Sequence, residues 1–88
     1  MKTVSAQIGL YPLGRRDLDR PVEAFLDALT ESGLDHQIGP MSTLVWGGEE
    51  AVFAAIREGY RRATALGPAV MQITLSDACP VPQSGEEP

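Results

Sequence analysis

The chain has 88 residues, 43% of them hydrophobic, a formal net charge of -5 and a single cysteine. That length allows one domain with a thin core, and the apolar content excludes wholesale disorder. The acidic balance repels phosphate backbones and argues against a nucleic-acid partner, while the lone Cys79 rules out an internal disulfide and suits a reducing compartment.

No apolar run follows a basic start, so no signal peptide is expected, and no run nears the roughly 20 apolar residues of a spanning helix. The expected address is the cytoplasm, without membrane insertion.

The first element is a strand over residues 3–13. Val4, Ala6, Ile8 and Leu10 alternate with Ser5, Gln7, Gly9 and Tyr11. A period of two gives one apolar and one semi-polar face. Pro12 ends the strand, since proline has no amide for the ladder. A polar loop follows, where Asp17 or Asp19 can cap a helix and Pro21 suits its first turn. Val22, Phe25, Leu26 and Leu29 share one helix face, and Gly33 stops the helix by taking positive φ. Residues 34–38 form a short edge strand, and Gly39-Pro40 a turn.

Residues 42–47, STLVWG, form a third strand rich in β-branched and aromatic side chains. Glu49 and Glu50 favour a helix N-terminus, where the dipole is positive. Val52, Phe53, Ile56, Tyr60 and Ala63 repeat at helical spacing, while Arg57, Arg61 and Arg62 take the solvated face. Gly67-Pro68 ends this helix. Residues 69–77 form the last strand, with Met71, Ile73 and Leu75 on one face and Gln72, Thr74 and Ser76 on the other. The proline-rich, acidic residues 81–88 read as a flexible, solvated tail behind a domain over residues 1–80, and residues 83–88 of it as dispensable.

The order β-α-β-β-α-β predicts an α+β, ferredoxin-like sandwich with an antiparallel four-stranded sheet and two helices on one face. Right-handed crossovers set the first strand between the third and the last. Gln7, Gly9, Tyr11, Gln72, Thr74 and Ser76 then cluster on the open face. Stacking on another subunit is the plain use of such a face, so a homo-oligomer, dimer or tetramer, is expected.

Many chemistries are excluded. The sequence has neither a GxxxxGK[ST] loop nor a GxGxxG turn. His36 and Cys79 are the only histidine and thiol, so imidazoles and thiolates of one chain cannot build a zinc site. A Ser-His-Asp unit would need His36, which sits on an edge strand. No converging acid-base pair is visible, so no enzyme, metal or cofactor is expected.

Three segments carry a resemblance when taken together: QIGLYPLG at 7–14, GPMSTLVWG at 39–47 and ITLSDACP at 73–80. Their order and their places on the first, third and fourth strands resemble the YkoF-like family of thiamine/hydroxymethylpyrimidine-binding proteins. The resemblance implies a ferredoxin-like fold, binding of thiamine or its pyrimidine half, and a role in uptake or salvage rather than catalysis. It points to Ser42, Thr43, Ser76 and the Cys79-Pro80 corner as contacts. The first segment departs from the family's SLYP, because Gly9 replaces the serine and removes a hydroxyl.

Strand geometry adds Gln7, Gly9, Tyr11, Thr74 and Asp77 to these contacts. An aminopyrimidine has acceptors, an amine donor and a flat face, which suits a few fixed polar groups beside an aromatic wall. Asp77 would accept from the amine with charge assistance, and Tyr11 or Trp46 would stack on the ring. Each has a plainer use: Trp46 as core or subunit contact, Ser42 and Thr43 as turn formers, Asp77 as a local cap. The rival functions are a regulatory subunit that assembles through its sheet and modulates an enzyme, and a small enzyme using Asp77 or Tyr11 as acid or base.

Overall fold

Strand β1 (Thr3–Pro12) sorts its side chains by parity. Val4, Ala6 and Ile8 are at most 3% exposed, whereas Gln7 and Tyr11 reach solvent. In the computed structural model, which describes residues 2–14, 16–40 and 42–78, β1 is followed by α1 (Asp19–Ser32), β2 (Asp35–Ile38), β3 (Thr43–Gly48), α2 (Glu49–Thr64) and β4 (Ala69–Ser76). The expected tail, with Cys79 and Pro80 before it, lies outside the described residues. The sheet order is β2-β3-β1-β4 and every neighbouring pair is antiparallel. This is the ferredoxin-like arrangement the sequence predicts.

The chain's own chemistry sets the helix ends. Asp17 Oδ1 accepts from the Asp19 and Arg20 amides at 3.0 and 3.4 Å, satisfying donors that lack an intrahelical partner. Gly33 takes φ 77° after α1 and donates its N–H to the Thr30 carbonyl. Helix α2 starts with Glu49 and Glu50 and finishes with Arg61 and Arg62, matching its dipole at both ends.

The core joins Val4, Ala6 and Ile8 of β1 to Phe25 and Leu29 of α1, Val45 of β3, and Val52, Ala55, Ile56 and Ala63 of α2. Fully burying one such large side chain contributes about 1.5–3 kcal/mol. Gly59 makes the helix pair close, because a Cβ there would run into the Phe25 ring.

Two residues expected on the buried face of α2 stand outside it. Phe53 and Tyr60 are 47% and 46% exposed. At about 100° per residue both sit on the flank of α2, roughly a quarter-turn from Val52. Arg62, expected on the solvated face, instead clasps α1. It donates to both Glu31 carboxylate oxygens, at 3.1 and 2.7 Å, and to Glu58 at 2.8 Å. This fork holds Glu31 below its usual pKa, first through the hydrogen bonds and then through the charge, and raises that of Arg62.

Candidate functional site

The face away from the helices is built by register. Ser5 stands opposite Trp46 and Ser76, Gln7 opposite Leu44 and Thr74, Gly9 opposite Gln72, and Tyr11 opposite Val70. Opposed residues of an antiparallel pair share a face, with Cβ atoms about 4.5–5.5 Å apart. Five of these side chains or bare positions, Gln7, Gly9, Tyr11, Gln72 and Thr74, join Ser42 in lining a cleft of about 210 Å³.

Each lining residue has a local reason to be there. The β2–β3 turn is closed by the Gly39 amide donating to the Ser42 carbonyl at 2.8 Å. Gln7 Nε2 donates to the Ser42 hydroxyl at 3.1 Å, tying β1 to that turn. Gly9 leaves the sheet floor bare, and the phenol end of Tyr11 lies over it. A second depression of about 370 Å³, lined by Gln7, Gln37, Gly39, Ser42 and Leu44, adjoins the first through Gln7 and Ser42.

The cleft is chemically neutral. Two carboxamides, two aliphatic hydroxyls and the Tyr11 phenol line it, with no carboxylate, ammonium or guanidinium among them. A carboxamide presents a donor and an acceptor side by side, so it can pair in bidentate fashion with an aminoazine edge, as glutamine does with adenine. Tyr11 supplies an aromatic wall.

The other expected contacts do not converge here. Thr43 pairs with Ile8 and is buried on the helix side. Ser76 shares the open face, but its hydroxyl accepts from the Ala78 amide at 2.9 Å, near the opposite end of the sheet. Asp77 lies beyond the end of β4 and pairs with Lys2 at 3.2 Å. Cys79 is outside the described residues. Trp46 is half-buried on the open face, not in the helix-side core. Sequence alternation puts Gln72 on this face, although it is not among the expected contacts. It lines the cleft, and only its pairing with Gly9 reveals that.

Comparison with known proteins joins this geometry to a family. The family model described as "Thiamine-binding protein" matches residues 6–76, which spans β1 through β4. The chain belongs to the thiamine-binding protein family. Solved structures similar to this thiamine-binding family member share its fold. A hypothetical protein of Methanocaldococcus jannascii has TM-score 0.81 at 17% identity, over 90% of this chain and 84% of that one. A domain of unknown function from Bacillus cereus has TM-score 0.79 at 14% identity, over 97% and 86%. A candidate thiamine biosynthesis/salvage protein of Thermotoga maritima has TM-score 0.76 at 18% identity, over 98% and 89%. No curated protein matches the chain significantly.

Proposed function

We propose that this protein is a non-catalytic binder of thiamine or its hydroxymethylpyrimidine half, acting in uptake or salvage in the cytoplasm as an assembly of identical copies. The observation that carries the reading is the neutral cleft on the open sheet face, with Gln7, Gln72, Ser42 and Thr74 beside the Tyr11 ring. Membership of a thiamine-binding family supports the ligand class. The carboxamides of Gln7 and Gln72 read the amine and ring nitrogens of the pyrimidine, and Tyr11 covers its flat face. Asp77 is not the recognising carboxylate in this reading, since it is engaged by Lys2 away from the cleft.

A thermal-shift panel of thiamine, its phosphates and the free pyrimidine tests this. Binding to the folded state alone raises the melting temperature. The expected result is a concentration-dependent rise with thiamine or the pyrimidine that Gln72→Ala reduces. No rise with any of them, at concentrations up to millimolar, refutes the ligand assignment.

A further inference from the structure

We propose that the depression beside the Tyr11 cleft is the second half of a two-part site, holding the cationic thiazolium ring of thiamine while the cleft holds the pyrimidine. The inference rests on the reading of the protein as a binder of thiamine or its pyrimidine half, and it decides between those two ligands. The cleft alone, about 210 Å³, falls short of the roughly 300–1,000 Å³ of ordinary ligand sites. The neighbouring depression has about 370 Å³, and with it the site falls inside that range. The two hollows meet at a waist made by Gln7 and Ser42, which line both and are hydrogen-bonded to each other at 3.1 Å. Thiamine has the matching outline: two rings joined by one methylene carbon, which crosses the waist.

The hollows differ in chemistry as the two rings do. The cleft offers the Gln72 carboxamide and the Thr74 hydroxyl, which suit the donors and acceptors of an aminopyrimidine edge. Among the described residues, the second hollow adds only Gln37, Gly39 and Leu44 to the shared pair. Leu44 stands between Gln7 and Gln37 in the register and is half-buried, so it forms an apolar wall. A thiazolium ring carries a quaternary nitrogen and no N–H or O–H, so it calls for such a wall and a negative potential rather than for hydrogen-bond donors.

The charge of this face has the right sign. Asp35 and Gln37 both lie on the open face, opposite Trp46 and Leu44. Two strand residues, about 6.6 Å, separate them, which is within the roughly 8 Å screening length of physiological salt. Asp35 is exposed, and among the strand residues of the open face it is the one charged side chain. A cation is therefore favoured at this end, and no strand lysine or arginine on the face answers a phosphate. The plainer use of Asp35 is to blunt the edge of the sheet, which makes no distinction between ligands.

Calorimetric titration with thiamine, thiamine monophosphate and free hydroxymethylpyrimidine tests the proposal. The parent should bind thiamine more tightly than either of the others. Gln37→Lys, an exposed substitution, sets an ammonium in the second hollow and should weaken thiamine about tenfold or more, since like charges brought together are costly. The same variant should bind the pyrimidine as the parent does, which also shows that it is folded. Asp35→Asn should weaken thiamine about two- to fivefold, the worth of an exposed ion pair, and leave the pyrimidine unaffected. Equal affinity of the parent for thiamine and the pyrimidine, or equal losses of both in Gln37→Lys, overturns the second subsite alone. A parent that binds neither overturns the ligand assignment as well.

Discussion

The Tyr11 hydroxyl lies where a side chain on residue 9 would begin: a Cβ built on Gly9 would stand 2.6 Å from it. Residues two apart on one strand point the same way, so the phenol folds back along β1 and fills the space glycine leaves. Gly9→Ser should therefore displace the ring rather than the sheet. Tyr11 is an exposed side chain, and the melting temperature should change little, within the roughly 0.5 kcal/mol usual for surface substitutions. Proton NMR reads the outcome. The Gly9 α-protons of the parent should carry a ring-current shift that Tyr11→Ala abolishes, and Gly9→Ser should show a Tyr11 ring no longer in contact with residue 9. A ring still packed on the introduced serine would show that this contact does not depend on glycine.

If the cleft is the thiamine site proposed above, its lining sets which polar residues matter for binding. Gln72→Ala and Gln7→Ala each remove a neutral hydrogen bond worth about 0.5–1.5 kcal/mol net, or roughly two- to tenfold in affinity. Asp77→Asn should leave thiamine affinity unchanged, because the cleft lining does not include it. Its effect on stability should also be small, within the about 1 kcal/mol of an exposed ion pair. Calorimetric titration of the three variants separates carboxamide from carboxylate recognition.

The clasp between the helices gives a pH signature. Glu31 is held below its ordinary pKa of 4.5 by hydrogen bonding and charge from Arg62. A carboxyl lowered on folding stabilises the folded state above its unfolded pKa, and that contribution disappears as pH falls through the folded value. Glu31→Gln should thus lower stability near neutrality and flatten its decline below pH 4.5. Thermal melts of parent and variant across that range should converge in acid. Equal differences at every pH would mean the clasp works through shape rather than charge.

Gly59 sets the distance between the helices. A methyl at this position meets the buried Phe25 ring, which has nowhere to go. Alanine gains up to about 1 kcal/mol of helix propensity over glycine, whereas overpacking a close-fitted core costs about 1–3 kcal/mol. Gly59→Ala should be destabilising on balance, seen as a lower urea midpoint with an unchanged slope. A rise in the midpoint would show that the helices separate freely.

Much of the fold is legible in the sequence because its signals are local. The alternation in β1, the breaks at Gly33 and Gly67-Pro68, and the dipole-matched charges of α2 each act within a few residues. The lining of the cleft is legible where one pattern decides, as for Gln7, Gly9, Tyr11 and Thr74. Which way Thr43 faces is not legible, because STLVWG is apolar on both phases. Leu44 and Trp46 look like the buried set, but Thr43 and Val45 are the pair facing the helices. For Asp77 the missing information is a partner at the far end of the domain, Lys2, which strand periodicity does not encode. Phe53 and Tyr60 follow the helical period, yet their burial depends on how far the helix layer reaches over the sheet.

The Lys2–Asp77 ion pair places the start of β1 beside the end of β4. The fold's two ends are therefore neighbours, although its central strand comes first and an edge strand last. A short turn could join them directly, and the chain could instead be opened at the exposed turn between β2 and β3. Such a circular permutant should keep the sheet order, since no strand would have to move.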